Sequence, residues 1–201
     1  MQVADKYFSI HEWGDPIMAI NVKRLLANAL IELTDEKPLA KITVCNIVQR
    51  AGTGRQTFYN HFKDKNDLIY WIFCGTLIGE RRILQTSGYF AYLAHLYTEA
   101  QKYRNFMKQA CAMDGQNSLS EAIRLQTYNY YKKYIIDHYG KENIDESIEF
   151  ALQFNAYGAS SLYIVWVKAG MPGTGERQAE HALHCMPHDI KQYLPLDQLD
   201  Y

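Results

Sequence analysis

The chain has 201 residues, 48% of them apolar, and its 21 Lys and Arg against 22 Asp and Glu leave a formal charge of −1. That length can bury one large core or two smaller ones, and the near-neutral total excludes a surface that is cationic throughout. Cys45, Cys74, Cys111 and Cys185 stand far apart with no Cys-x-x-Cys pair, so they read as reduced thiols of a cytoplasmic protein and not as a disulfide framework.

Met1 to Pro16 mixes Asp5, Lys6, His11, Glu12 and Asp15 with aromatics and does not have the build of a secretory leader. Met18 to Leu33 is the first predicted helix: Val22, Leu25, Leu26, Ala29, Leu30 and Leu33 recur at three and four, with Lys23, Arg24, Asn28 and Glu32 between them. Two short helices then follow around a tight turn. The first starts at Thr43, whose hydroxyl can cap the opening amides, carries Val44, Ile47, Val48 and Ala51 on one side, and stops at Gly52. The second runs from about Arg55 to Phe62, with Phe58 and Phe62 buried four residues apart and Arg55, Gln56, Thr57, Tyr59, Asn60 and His61 facing out. That outward set offers hydrogen-bond groups for phosphates and for base edges, which is the grammar of a DNA-reading helix-turn-helix.

Local charge agrees. Between Lys41 and Lys65 five cations (Lys41, Arg50, Arg55, Lys63 and Lys65) face Asp64 alone, whereas from Lys141 onward nine acidic residues oppose four basic ones. Attraction for a polyanion is therefore confined to one end of the molecule.

Beyond Phe62, a long helix from Asn66 to about Leu84 is expected to act as a connecting rod. Further helices are predicted at Tyr89 to Gln101, Arg104 to Met113, Leu119 to Tyr139, Asp145 to Ala169 and Glu176 to about Tyr193, with turns at Asp114-Gly115, Gly140-Lys141 and Gly170 to Gly175. Pro187 is a candidate kink in the last. The Asp145 to Ala169 segment is apolar nearly all round, and its part from Phe150 to Val167 lacks charges, but Gln153, Asn155, Ser160 and Ser161 argue against a membrane span. Such a helix is either the centre of its own domain or buries one side against a symmetry mate.

Thr43, Ala51-Gly52, the run Arg55-Gln56-Thr57-Phe58-Tyr59-Asn60-His61-Phe62, and then Lys63, Asp64, Lys65 and Leu68 resemble the signature of the TetR family of bacterial transcriptional regulators. Two positions depart from it. Gly54 stands where members usually have a serine cap, and Asn46 where an acidic residue commonly completes the capping box. Trp166 with Gly170-Met171-Pro172, and the run Tyr70-Trp71-Ile72-Phe73, are also similar to the subgroup that includes activators of dihydroxyacetone-kinase operons.

The resemblance implies an all-α fold, with a three-helix DNA-binding domain over residues 1–65 and a helical effector-binding and dimerisation domain over 66–201. The opening residues of a recognition helix point into the groove, so Arg55, Gln56 and Thr57 are the candidates for base edges, while Thr43, Tyr59, Asn60, His61 and Lys65 are candidates for phosphates. His61 has an alternative role packed beside Phe62. Related regulators pair through their last two long helices, which makes Leu152, Gly158, Ala159, Leu162 and Trp166 the expected contacts of a homodimer. Pockets in the family's second domain take small amphipathic ligands, and Tyr97, Tyr128, Tyr131 and Tyr157 are the expected lining, although tyrosines at such spacing also serve as core edges.

The implied partners are a palindromic double-stranded operator, a second copy of the chain, and an effector that is either a small molecule or a protein co-regulator. No cofactor or metal is expected. His181, His184 and His188 lie at three and four but lack ligand companions and are read as surface. A small helical enzyme using the tyrosine-rich cavity is the alternative from another class; the sequence offers no nucleophile paired with a base and no phosphate loop for it.

Overall fold

The computed structural model describes residues 17–77, 81–113 and 118–195. The segment Met1 to Pro16 and the Asp114-Gly115 turn lie outside the described residues. Within them every regular element is helical, and no helix is long and apolar enough to cross a membrane.

Helix α1 (Ile17–Glu36) is followed by a 3₁₀ turn (Leu39–Lys41), α2 (Val44–Arg50), α3 (Arg55–His61) and α4 (Lys65–Ile72). Leu26, Leu30 and Leu33 of α1 meet Ile42, Ile47, Phe58, Phe62, Leu68 and Ile72 in one buried cluster. These are the periodic positions of the sequence, and their burial fixes how α3 is held.

The ends of α2 show why the turn is tight. Thr43 Oγ1 accepts from Asn46 N at 3.2 Å, and Asn46 Oδ1 accepts from Thr43 N at 3.0 Å, so the capping box is complete. Asn46 thus completes the box in the place where an acidic residue is common, because an amide oxygen accepts the hydrogen bond as a carboxylate would. At the other end Gly52 takes φ +65°, Thr53 N donates to Val48 O at 2.9 Å and Gly52 N to Gln49 O at 3.3 Å. That pair of bonds is a Schellman motif, and a side chain at Gly52 would strain it. Gly54 caps α3 through extended backbone with no side-chain bond, as its sequence implies.

The connecting rod departs from expectation. α4 ends at Ile72, a π-helical turn occupies Phe73–Leu77, and α5 (Arg81–Lys102) is interrupted at Gly88, where φ is 79° and ψ 179°. The single helix expected from Asn66 to Leu84 is therefore not continuous: α4 gives way to the π turn at Phe73, and residues 78–80 lie outside the described residues.

α6 (Arg104–Cys111), α7 (Leu119–Tyr139), α8 (Glu146–Lys168), α9 (Gly175–His184) and the short α10 (His188–Lys191) complete the described helices. The helix expected from Glu176 to Tyr193 is split in two, because Pro187 lacks an amide proton and opens α10 instead of continuing α9. α7 packs along α8, and α9 lies close on α5: a Cβ built at Gly175 would stand 2.2 Å from Thr98 Oγ1 and 2.7 Å from the Ala94 carbonyl oxygen.

α6 ties the helix-turn-helix unit to the rest. Gln109 Nε2 donates to the Thr34 carbonyl at 2.8 Å, Gln109 Oε1 accepts from Leu39 N at 2.5 Å, and Asn105 Nδ2 donates to Asp35 Oδ1 at 2.7 Å. These are polar bonds at a junction, so they set orientation more than they add apolar burial.

Candidate nucleic-acid interface and effector cavity

Phe58, with no accessible surface, pins α3 to the core, and the Phe58 and Phe62 rings lie 5.8 Å apart beneath it. This anchoring turns Arg55, Gln56, Tyr59 and Asn60 to the exposed side, with Thr57 and His61 half-buried at its margins. Gln56 Nε2 donates to Asn60 Oδ1 at 3.0 Å, one turn on. The Tyr59 phenol, one turn on from Arg55, holds the guanidinium above its ordinary pKa. Side-chain donors are therefore presented along the exposed side of a seven-residue helix. Thr43 is exposed at the start of α2, on the same unit.

Two of the five local cations differ from their sequence expectation. Arg50 is bonded to Glu36 at 2.6 Å and to Glu32 at 3.4 Å, so α1 carboxylates offset its charge. Lys65 Nζ donates to the carbonyls of Leu39 at 2.7 Å and Ile42 at 2.8 Å, and partial burial pushes its pKa down. The phosphate role expected of Lys65 is corrected to a structural one. It grips the turn that precedes the Thr43 cap through the Leu39 and Ile42 carbonyls, while Gln109 holds the Leu39 amide. Lys41, Arg55 and Lys63 remain exposed around the reading helix.

The second site is a partly open cavity of about 100 Å³ enclosed by the π turn, α5, α7, α8 and α9. Tyr97 and Tyr131 line it as expected. Tyr128 and Tyr157 do not: Tyr128 bonds to Glu149 and Lys132 at the α7–α8 surface, and Tyr157 is exposed with the Arg124 guanidinium 4.7 Å from its ring centre. Tyr89, Tyr92, Tyr130 and Tyr163 take their places. Burial pushes the Tyr97 and Tyr131 phenols up to about 12, so both are neutral at physiological pH.

The third feature is an uncovered apolar face of α8. Phe150, Phe154, Tyr157, Leu162 and Val165 are between 57% and 72% exposed, with Ser161 between them and half-buried Gly158 and Ala159 beside them. Leu152 and Trp166, expected in the same face, point the other way. Leu152 is fully buried, and Trp166 Nε1 donates to the Pro172 carbonyl at 2.9 Å inside the protomer. The sequence missed Phe150, Phe154 and Val165, because a helix that is apolar all round does not reveal which side its own fold covers. Among the described residues no group of three or more His, Cys, Asp or Glu side chains could hold a metal ion, and His181, His184 and His188 are all exposed.

Comparison with known proteins agrees with this geometry. The family model for bacterial regulatory proteins of the tetR family matches residues 26–70, and that for the transcriptional regulator C-terminal region of the same family matches 89–187. The chain belongs to the TetR family. Its relatives include DhaS of Lactococcus lactis subsp. lactis (strain IL1403), an HTH-type dhaKLM operon transcriptional activator, which is 36% identical over 55 residues, 27% of this chain and 29% of that one. YvdT of Bacillus subtilis (strain 168), an uncharacterized HTH-type transcriptional regulator, is 46% identical over 44 residues, 22% of this chain and 23% of that one. The matches thus span less than a third of either relative. Among solved structures, a dihydroxyacetone kinase operon activator DhaS superposes with a TM-score of 0.63 at 20% identity, covering 87% of this chain and 99% of that one, a likeness of fold.

Proposed function

We propose that this TetR-family protein regulates transcription as a homodimer, each copy laying α3 in the major groove over one half of a palindromic operator. The observation that carries the reading is the exposed row Arg55, Gln56, Tyr59 and Asn60 on a helix whose opposite side is pinned by Phe58. Arg and Gln at the start of such a helix suit the acceptor-rich edges of guanine and adenine, and the Tyr59 and Asn60 groups suit phosphates. A two-fold operator requires two heads at a spacing set by the duplex, and the uncovered α8 face supplies a self-complementary surface with small residues where two helices would cross.

The cavity is the effector site of this reading. Phe73 of the π turn lines it, and so does Gln126, whose Oε1 accepts from Tyr70 of α4 at 2.9 Å. A ligand that shifts either residue acts directly on the helix that follows the reading head. Its influence is limited to the difference in its affinity for the two head positions, typically about 1–3 kcal/mol.

The test is fluorescence anisotropy with duplex from upstream of the gene at several salt concentrations. The reading predicts an affinity that falls with a log–log slope of about 0.9 for each neutralised phosphate. A flat salt dependence overturns it.

A further inference from the structure

The polar groups of the cavity define the chemistry of what it takes. Among the described residues no charged side chain lines it. Several of its hydroxyls are already spent: Ser160 donates back to the Ala156 carbonyl at 2.6 Å, Thr127 donates to the Ile123 carbonyl at 2.9 Å, and Tyr89 and Tyr131 share a hydrogen bond. Two buried groups are not. The Tyr163 hydroxyl, on a side chain only 4% exposed, has no hydrogen-bond partner, and neither does the Asn155 amide nitrogen within bonding geometry, although it lies near enough to the Tyr131 oxygen to lower that phenol's pKa.

A buried donor without an acceptor is costly, and both of these line the cavity from α8, about 12 Å apart along its axis. Around them Tyr92, Leu96, Tyr97 and Met186 form an apolar and aromatic enclosure. Burial holds Tyr163 far above its ordinary pKa, so it offers a neutral O–H and no charge.

Resting on the reading of this cavity as an effector site, we infer that its ligand is a small uncharged molecule, a single ring or short chain, carrying a carbonyl-type acceptor received by the Tyr163 hydroxyl. An ionised ligand would give up its hydration to a wall whose described residues offer no counter-charge, at a penalty a cavity of this kind does not repay. A pure hydrocarbon would leave the Tyr163 donor unmet. The size follows from the volume: an engineered apolar cavity of about 150 Å³ accepts benzene, and the space here is about 100 Å³ with one side open, which admits a ring whose substituent reaches the Tyr163 hydroxyl.

The experiment uses the full chain and three probes of similar shape: acetophenone, cumene, which replaces the carbonyl by a methyl-bearing carbon, and benzoate, which adds a charge. Binding is read by thermal shift and by titration of intrinsic fluorescence, and DNA affinity is read separately by anisotropy. Acetophenone is expected to bind roughly five- to tenfold more tightly than cumene, the value of one hydrogen bond to an otherwise unmet donor, and benzoate not at all. In Tyr163→Phe, which removes the unpaired hydroxyl without adding volume, cumene binding persists and the preference for acetophenone narrows. Equal or tighter binding of benzoate, a preference unchanged in Tyr163→Phe, or no binding of any probe overturns the assignment. Should the probes bind in the expected order while DNA affinity stays constant, the chemistry of the cavity stands and its role as an effector site falls.

Discussion

Phe154→Glu on α8 tests the proposed pairing of two copies. Phe154 is 62% exposed in the protomer, so the change removes little from the protomer's own core. Fully burying such a side chain contributes about 1.5–3 kcal/mol, and covering the exposed part of Phe154 therefore contributes about 1–2 kcal/mol. In a two-fold interface the same residue enters twice, which makes the apolar loss about 2–4 kcal/mol per dimer. Each copy also drives an unpaired carboxylate into the contact. At about 1.4 kcal/mol for each tenfold, the dimer dissociation constant rises at least about a hundredfold. Sedimentation equilibrium across a concentration series, with circular dichroism to verify the helices, measures this directly. A Phe154→Glu protein that melts like the parent yet dimerises at the same concentration would refute the placement of the interface on this face.

Gly175→Ala is expected to destabilise by about 1–3 kcal/mol, since its Cβ would meet the α5 backbone at the Ala94 carbonyl and the Thr98 amide as well as Thr98 Oγ1, and turning the hydroxyl away does not relieve the backbone contacts. For a chain of this size each kcal/mol lowers the melting temperature by about 2–4 °C, and an unchanged scan would contradict the close α9–α5 packing. Lys65→Met should lower stability by about 1–2 kcal/mol by removing the ammonium donor from the Ile42 carbonyl and from the Leu39 carbonyl, which keeps only the Ile42 amide. It should leave the salt slope of DNA binding as it was; a slope reduced by about one would restore the phosphate role. Glu149 is held below its ordinary 4.5 first by the Lys132 hydrogen bond and then by that of Tyr128. Its contribution is present above that ordinary value and is lost as pH falls through the depressed one, so acid denaturation of Glu149→Gln should show a shallower stability change below about pH 4.5. Identical acid profiles would count against a stabilising α7–α8 pair.

The reading head was legible because each of its signals is local. The cap at Thr43, the stop at Gly52 and the spacing of Phe58 and Phe62 lie within one or two turns of what they control, so the sequence alone orients α3. Asn46 departs from the usual acidic residue without loss of the cap, since its amide oxygen serves as acceptor.

What failed to read were features set by distant partners. Nothing in Phe73 to Leu77 but Gly75 hints at the π turn. The choice between Tyr128 and Tyr130 as a cavity residue depends on how α7 rotates against α5, and Tyr130 lies stacked on Tyr92 of that helix. Lys65 could not be assigned from its charge, because its two carbonyl partners lie 23 and 26 residues away. The inward turn of Leu152 and Trp166 likewise follows from what covers α8 and not from α8 itself.

Selection of bound duplexes from a randomised pool, run in parallel for the parent chain and Gln56→Ala, tests the central claim most directly. The account predicts that the parent enriches an inverted repeat whose half-sites are about one helical turn or a multiple apart, and that Gln56→Ala keeps the repeat but relaxes one symmetric position in each half. Enrichment of no repeat, or an identical preference in both proteins, would contradict a reading helix that begins at Arg55.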